Sequence, residues 1–496
     1  MFEIESIILF TGILSFLLIA GLHLMRELDI FLKKDKKERE EERYRKETKQ
    51  MTVIYKKMTQ TQMIVVGYLL LILLGSILLM LPVSSRDGNM TSFADALFTS
   101  TSASCVTGLV VQDTYLHWSF FGQLIILILI QIGGMGFMTI GVCVAILLRR
   151  KIGLKVRGIL QESINSIQIG GIVKLTKKII KGTLFFESIG AVLLMIRFIP
   201  EFGIGRGIWY GIFHSISAFC NAGFDLMGEN GAYQSLIRYS DDWLVNTVIM
   251  LLIIIGGIGF LVWDDLSVKK FQWKKYHLHT KIVLSTTGFL IIGGAVLFLI
   301  LEKNNVLAGM PVKEQILCSL FHSVTARTAG FNTTDTGALT EGSKLVTMIL
   351  MFIGGSPGST AGGIKTTTVV VLIVFVRANL MEAAGCNVFN RRLDETAIRK
   401  GSVVMCTNLF LILTGTIFME IMQPFSLSDV MFEVFSAMGT VGMSAGITRD
   451  VCMASRMVLV FLMFCGRIGS LTFALSLKGH RHGAPIRKPV EEITIG

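Results

Sequence analysis

The sequence predicts an all-α polytopic membrane protein in which four similar units follow one extra N-terminal transmembrane helix. Three observations support this fold class: the composition, the number of apolar segments, and two glycine motifs that recur four times. Of the 496 residues, 52% are hydrophobic and 17% are charged, whereas about a quarter of the residues in ordinary soluble proteins are charged. This composition excludes a soluble enzyme, a disordered protein and a DNA-binding domain.

The chain also lacks the short motifs of common cofactor and metal sites. It contains no intact GxGxxG, CxxC or HExxH, and its eight cysteines lie far apart, mostly within apolar stretches. They match neither a zinc site nor a disulfide framework. We therefore expect no catalytic residue, no covalent cofactor and no nucleic-acid partner. The net charge of +12 is first explained, in a membrane protein, by basic cytoplasmic loops.

Nine apolar segments are about long enough to cross a bilayer, which takes roughly 20 helical residues. Six are uncharged and lie at 6–25, 62–85, 118–148, 243–263, 282–301 and 401–419. Three contain one charge each and lie at 182–196 (Glu187), 345–376 (Lys365) and 457–477 (Arg467). Nine spans leave little room for a soluble domain.

Lysine and arginine are concentrated in alternate connections between the spans. These basic stretches are 26–57, 149–181, 269–281, 391–400 and the tail from Lys478 to Lys488. Because cytoplasmic loops carry the excess of cations, we expect a cytoplasmic C-terminus and an external N-terminus. The residues before the first span lack the positive charge of a signal peptide, so this span is expected to be retained.

Two glycine motifs recur in the same order four times. The first ends a segment between two spans and reads Val106-Thr107-Gly108, Asn221-Ala222-Gly223, Thr328-Ala329-Gly330 and Thr440-Val441-Gly442. The second lies in the following span and begins at Gly133-Gly134-Met135-Gly136, Gly256-Gly257-Ile258-Gly259, Gly354-Gly355-Ser356-Pro357-Gly358 and Gly466-Arg467-Ile468-Gly469. This recurrence predicts a fourfold internal repeat.

Each unit is expected to contain a span, a short half-helix, a glycine-bearing extended piece and a returning span, so that all units share one orientation. The predicted units are 61–150, 151–266, 267–378 and 379–478, with pore loops at 91–109, 207–224, 313–331 and 427–443. The half-helices are expected at about 92–103, 208–219, 315–326 and 428–438. The remaining parts are the N-terminal helix (1–25), a charged connector (26–60) and a cytoplasmic tail (479–496).

One explanation of the glycines is close packing between membrane helices. Packing does not explain a glycine at the end of a non-spanning segment, because non-helical backbone at membrane depth must be buried or line a water-filled cavity. Four such segments about one axis would present rings of carbonyls, which can replace the hydration shell of potassium. We therefore predict membrane-pore-membrane repeats with pseudo-fourfold symmetry around one ion pore.

These motifs resemble the four non-identical filters of the Trk/Ktr/HKT superfamily of potassium transporters, closest to the bacterial Ktr-type (TrkH-like) membrane subunit, over about residues 60–477. The resemblance implies that the twelve residues of the first motif bind potassium through their backbone, and that Thr107, Asn221, Thr328 and Thr440 matter mainly for position. It also implies a gate formed by Gly354, Gly355, Ser356, Pro357, Gly358, Ser359, Thr360, Ala361, Gly362, Gly363, Lys365 and Arg467.

The same resemblance implies potassium uptake across the plasma membrane of a prokaryote. The implied assembly is a homodimer in membrane lipid, on a cytoplasmic ring of nucleotide-binding regulatory subunits. Glycine in all four filters is the potassium-preferring pattern of that family, with sodium left open as a coupling or activating ion. The alternatives are a sodium-permeable or sodium-coupled transporter of the same fold, and a membrane-embedded enzyme. An enzyme would need clustered ionisable residues, and the spans offer only Glu187, Lys365 and Arg467.

The stretch from Gly358 to Thr366 is not a P-loop, because Ile364 separates the glycine from the lysine that GxxxxGK[ST] needs adjacent to it. A proline and several glycines inside a span instead predict a broken inner helix over 343–376 with an irregular loop below the filter.

Four further charged residues have two readings each. Arg467 is expected either to donate hydrogen bonds to carbonyls of that loop or to form a packing ion pair with Glu187 or Glu420. Outside the filter, the acids Asp113, Asp225 and Asp335 either concentrate cations at the mouth or are ordinary loop carboxylates.

Overall fold

The computed structural model describes residues 59–136, 171–270, 272–383 and 385–477, and the single residues 139, 158, 161, 489 and 491. The predicted N-terminal helix, nearly all of the charged connector and most of the tail lie outside the described residues. Across the described part the regular secondary structure is almost wholly helical, with one small hairpin of β1 (Asn387–Val388) and β2 (Arg391–Arg392).

The helices form four successive sets, each with a long outer helix, a half-helix and an inner helix. The first set is α1 (Gln60–Met80), α2 (Phe93–Ser104) and α3 (Phe120–Met135); the second is α4 (Ile172–Phe202), α5 (Ile204–Phe219), α6 (Trp243–Gly257) and α7 (Phe260–Lys269); the third is α8 (Leu278–Glu302), α9 (Val312–Thr325), α10 (Glu341–Phe352) and α11 (Thr366–Leu380); the fourth is α12 (Glu395–Met422), α13 (Leu427–Gly439), α14 (Met453–Ile468) and α15 (Ser470–Leu477). Each set thus runs from a long outer helix through a half-helix to an inner helix, and the fourfold repeat and the residue limits of its units stay predictions.

The four outer helices α1, α4, α8 and α12 are the ones, within the described ranges, that are individually long and apolar enough to cross a membrane. The pairs α6–α7 and α14–α15 pass the same test jointly. The third inner helix is interrupted, since α10 ends at Phe352 and α11 begins at Thr366.

Two predicted spans, 243–263 and 457–477, are wrong as continuous helices. α6 and α7 meet at 95°, and α14 and α15 meet at 96°. The breaks lie at Gly259 (φ 97°) and Gly469 (φ 92°), a left-handed backbone that glycine adopts without a steric penalty. Gly136 ends α3 in the same way, with φ 80°, and most of the predicted span beyond it lies outside the described residues.

Two of the four half-helices, α2 and α13, begin at side-chain caps, and all four end within three residues of the first glycine motif. Ser92 accepts a hydrogen bond from the backbone of Asp95 at 3.2 Å, and Ser426 accepts one from Asp429 at 3.2 Å. Such caps satisfy backbone donors that have no partner within the helix. The motifs that follow the half-helices are almost wholly buried in the interior of the protein.

Candidate ion pathway

The four glycine segments, Val106–Gly108, Asn221–Gly223, Thr328–Gly330 and Thr440–Gly442, share one backbone conformation. The first residues of the segments have φ of 57°, 60°, 76° and 51°, and the glycines have φ of 95°, 68°, 86° and 92°. The residues between them, Thr107, Ala222, Ala329 and Val441, are fully buried. Left-handed non-glycine residues are uncommon, so their occurrence at the same place in every segment supports the equivalence of the units.

The segments form a closed ring in chain order. A Cβ atom added to Gly108 would lie 2.5 Å from the carbonyl oxygen of Ala222, and one added to Gly223 would lie 2.6 Å from that of Ala329. An added Cβ at Gly330 would likewise collide with the Val441 carbonyl, and one at Gly442 with the Thr107 carbonyl, which returns to the first segment. Only glycine permits this approach at all four positions.

Backbone N–H groups of the segments are bound to the half-helices behind them. The N–H of Gly108 donates to Ser102 Oγ at 3.0 Å, and the N–H of Gly442 donates to Ser436 Oγ at 3.1 Å. In contrast, none of the twelve carbonyl oxygens of the segments accepts a hydrogen bond from any residue that the structure describes. Within the described part of the chain, the ring therefore contains carbonyl acceptors that have no donor.

The hydroxyls that support the ring were missed by the sequence analysis. In addition to Ser102 and Ser436, Ser217 donates to the Phe224 carbonyl and Thr325 to the Phe331 carbonyl, both at 2.7 Å. The signal that could have found them is a serine or threonine in the last turn of every half-helix.

The first segment has the same register as the other three, with Val106 at the position of Asn221, Thr328 and Thr440. Val106 has the left-handed conformation of those residues, so Thr107 corresponds to Ala222. The side chains of Asn221 and Thr328 are hydrogen-bonded to each other at 3.2 Å. This bond joins the second and third segments directly.

A vestibule of about 270 Å³ lies on one side of the ring and is lined by all four glycines. Asp225 and Asp335 also line it. Burial, followed by the nearby Asp113 carboxylate, raises the pKa of Asp225 to about 7. Asp113 itself is not among the lining residues, and its carboxylate accepts backbone hydrogen bonds from Tyr115, Leu116 and Tyr233. Of the three predicted mouth acids, Asp113 therefore fits the loop-carboxylate reading.

The 354–364 loop lies on the other side of the ring. Its ends are adjacent, since Ile353 and Ile364 form an isolated bridge, and Ser356, Thr360 and Ala361 are almost fully buried. Three backbone bonds attach the loop to the second unit: Ser356 N–H to the Gly257 carbonyl (3.0 Å), Thr360 N–H to the Gly256 carbonyl (3.3 Å), and Phe260 N–H to the Gly358 carbonyl (2.7 Å). The Thr360 hydroxyl also donates to the last carbonyl of α5, that of Phe219, at 3.2 Å.

Both cations of the predicted gate donate to carbonyl oxygens. Arg467 donates from Nη1 to Thr360 of the loop and from Nη2 to Gly133 and Gly134, the latter at 3.0 Å. Lys365 donates to the Ala361 carbonyl at 2.7 Å. Both line an inner cavity of about 340 Å³ together with Pro357, Gly358 and Ser359 of the loop.

No ion pair joins Arg467 to Glu187 or Glu420, two residues that the structure describes. Glu187 accepts instead from Gln131 Nε2, at 3.1 and 3.2 Å, and Oε1 of Glu420 is buried without a described partner. The ion pair predicted for the packing role of Arg467 is therefore not formed, and its guanidinium instead connects the loop to the inner helix α3.

The family model described as TrkH, cation transport protein, matches residues 42–480. The chain belongs to the TrkH family of cation transport proteins. It is 40% identical over 450 residues to the potassium/sodium uptake protein NtpJ of Enterococcus hirae, and the aligned region covers 89% of this chain and 98% of that protein. It is also 40% identical over 450 residues to the Ktr system potassium uptake protein B of Bacillus subtilis, covering 90% of this chain and 99% of that protein.

The structure is similar to the crystal structure of the potassium transporter TrkH from Vibrio parahaemolyticus. The TM-score is 0.64 and the identity is 19%, over 83% of this chain and 84% of that chain. At this identity the similarity shows the fold. The predicted resemblance to the Trk/Ktr/HKT superfamily is thus confirmed, and this TrkH-family chain is a multi-pass membrane transporter rather than an enzyme.

Proposed function

We propose that this TrkH-family protein takes up potassium across the plasma membrane of a bacterium through a filter formed by the four glycine segments. The observation that carries this proposal is the ring of carbonyl oxygens that accept no hydrogen bond from the residues that the structure describes. Buried backbone carbonyls are nearly always paired, and a dehydrated cation would supply the missing partner. Rings of carbonyl oxygens replace the hydration shell of potassium in this way.

The half-helices add an electrostatic contribution to the same site. α2, α5, α9 and α13 each end directly before a segment, so the negative end of each helix dipole, equivalent to about half a charge, lies at the ring. In the vestibule, Asp335 would raise the local concentration of cations, and Asp225, whose pKa of about 7 leaves it partly protonated at neutral pH, would add less. Neither contribution distinguishes potassium from sodium, so selectivity would depend on the backbone geometry.

The gate in this proposal is the 354–364 loop, together with Lys365 and Arg467. The loop lies against the inner side of the ring, because a Cβ added to Gly362 would collide with the Thr440 side chain. It is also buried between the ring and the inner cavity. A conducting state would require the loop to move away from the second unit and from Arg467.

The proposed assembly is a homodimer in membrane lipid that binds a cytoplasmic ring of nucleotide-binding regulatory subunits. The Bacillus subtilis relative is named as protein B of a Ktr system, which supports assembly with further components. The basic connections support a cytoplasmic C-terminus and a cytoplasmic inner cavity.

A sodium-permeable or sodium-coupled transporter of the same fold is the second candidate, because the Enterococcus hirae relative is named a potassium/sodium uptake protein. Uptake of potassium and of sodium by the purified protein in proteoliposomes tests both candidates. We expect potassium flux that exceeds sodium flux and proceeds without sodium. Equal fluxes, or potassium flux that requires sodium, would support the second candidate, and a folded protein that conducts neither ion with its regulatory subunits present would contradict both.

A further inference from the structure

A buried arginine beside the third glycine segment is not used by the pathway described above. Arg327 directly precedes Thr328, and only 7% of its surface is exposed. The residues at the same distance before the other three glycines are Cys105, Cys220 and Gly439. The third unit alone therefore carries a charge behind its segment.

The guanidinium of Arg327 has no partner among the residues that the structure describes. Its Nε atom is buried and unbonded, and none of the ion pairs found in the described ranges includes it. An arginine carries five donors in a rigid fork, and a buried charge that lacks a partner raises the free energy of the conformation that contains it. The observed arrangement is therefore unfavourable for Arg327.

A small cavity of about 10 Å³ separates Arg327 from the gate loop. Its lining includes Gly355 of the loop, Gly257 at the end of α6, and Thr287, whose hydroxyl is also buried and unbonded. This volume is at the lower limit for a single water molecule. The carbonyls of the two glycines are already engaged, that of Gly257 by Ser356 N–H at 3.0 Å and that of Gly355 by Thr366 N–H at 3.1 Å.

We propose that Arg327 is a positioning residue that stabilises a displaced conformation of the 354–364 loop. When Ser356 leaves the Gly257 carbonyl, that oxygen becomes an acceptor for the guanidinium across the cavity. A hydrogen bond from a charged donor is roughly twice as strong as a neutral one, so the exchange favours the displaced loop. The inference rests on the proposed function of the loop as a gate.

Arg467 acts on the same loop in the opposite direction. Its hydrogen bonds to Thr360, Gly133 and Gly134 exist in the observed conformation and therefore stabilise it. Removing Arg327 should close the gate further, whereas removing Arg467 should open it. Opposite effects of these two arginines are not expected if both serve only folding.

The first experiment compares potassium uptake by full-length Arg327→Gln, Arg327→Lys, Arg467→Ala and the Arg327→Gln/Arg467→Ala double variant in proteoliposomes. We expect Arg327→Gln to lower maximal uptake by at least about fivefold. The potassium concentration at half-maximal uptake and the preference for potassium over sodium should stay unchanged. Arg327→Lys keeps the charge and should fall between Arg327→Gln and wild type, and the double variant should fall between the two single variants. Thr287→Val is the matched control, because it removes the uncharged, unbonded hydroxyl that lines the same cavity. This variant should leave uptake unchanged.

The second experiment follows the loop directly. Ser359 lines the inner cavity, so a thiol introduced by Ser359→Cys reports access to the loop from that side. Cys406 and Cys452, which are exposed and half-buried, respectively, are replaced by serine. The rate of alkylation of the new thiol is followed by mass spectrometry. Arg327→Gln should slow this rate and Arg467→Ala should increase it. If Arg327→Gln does not fold, Arg327→Lys should still shift the rate in the same direction by less.

The outcomes separate the inference from the proposed function. Increased uptake by Arg467→Ala, with uptake and alkylation of Arg327→Gln unchanged or increased, would overturn the role of Arg327 and leave the gate intact. Lost potassium preference in Arg327→Gln would place its effect on the filter and also overturn the inference. If neither arginine changes uptake or alkylation, the loop is not the gate, and the proposed function of the loop fails with it.

Discussion

Lys344 and Asp429 form an ion pair, with 2.8 Å between Nζ and Oδ1, that joins the inner helix α10 of the third unit to the half-helix α13 of the fourth. Arg456 and Asp95 form the corresponding pair at 2.7 Å and join α14 of the fourth unit to α2 of the first. Both cations are the fourth residue of their inner helix. The ring is thus closed between the last and first units by the same contact that joins the third and fourth.

The contact between the first and second units at this position is uncharged. Gln123 is the fourth residue of α3, and its side-chain oxygen accepts a hydrogen bond from Trp209 Nε1 of α5 at 2.9 Å. The units are therefore equivalent in geometry and different in charge, which gives a direct test of how strongly the ion pairs hold the ring.

Asp429→Asn should destabilise the protein by about 1–3 kcal/mol, below the 3–5 kcal/mol typical of a wholly buried pair, because 24% of the Asp429 side chain is exposed. Glu341→Gln is the matched control: Glu341 contacts the same lysine at 3.2 Å, but 71% of its side chain is exposed. An exposed pair contributes at most about 1 kcal/mol. Thermal unfolding in detergent measures both, and equal losses would contradict a special role for Asp429.

The sequence predicted the position of each glycine segment because positive φ and close backbone approach require glycine, and this residue therefore recurs at the same place in every unit. The bends at Gly259 and Gly469 could not be predicted from hydrophobicity, since apolar residues on both sides of a glycine fit a straight span equally well. The recurrence of this glycine in three of the four motifs, at Gly136, Gly259 and Gly469, was the available signal. The structural use of Asp113 was also hidden, because one of its donors, the N–H of Tyr233, lies 120 residues away.

Gly108→Ser should lower the preference for potassium over sodium by at least about tenfold, equivalent to 1.4 kcal/mol. The added side chain would collide with the Ala222 carbonyl, which lies 2.5 Å from an ideal Cβ, and would displace that oxygen from the ring. Gly88→Ser is the matched control, because Gly88 also has positive φ (67°) but nothing within 4 Å of an added Cβ. Competition between the two ions for uptake in proteoliposomes measures the effect. An unchanged preference in folded Gly108→Ser would refute the filter assignment.

Deleting residues 358–362 should raise potassium flux and weaken its dependence on regulatory subunits. The deletion removes the Thr360 acceptor of Arg467 and the Phe260 contact while keeping both residues of the Ile353–Ile364 bridge. Flux is measured in proteoliposomes with and without the regulatory subunits. Lost flux with potassium binding retained in calorimetry would instead make the loop a structural element.

Arg467→Ala should increase potassium flux and leave the preference for potassium unchanged. The side chain holds the loop at Thr360 and the inner helix α3 at Gly133 and Gly134, and a guanidinium at the inner cavity also repels a passing cation. Arg467→Lys keeps the charge but has no planar fork to reach several carbonyls at once, so its flux should fall between Arg467→Ala and wild type. Glu187→Gln is the control: Glu187 binds Gln131 and not Arg467, so this variant should leave flux unchanged. If both Arg467 variants fail to accumulate and Glu187→Gln restores them, the arginine serves packing and the observed contacts do not form the gate.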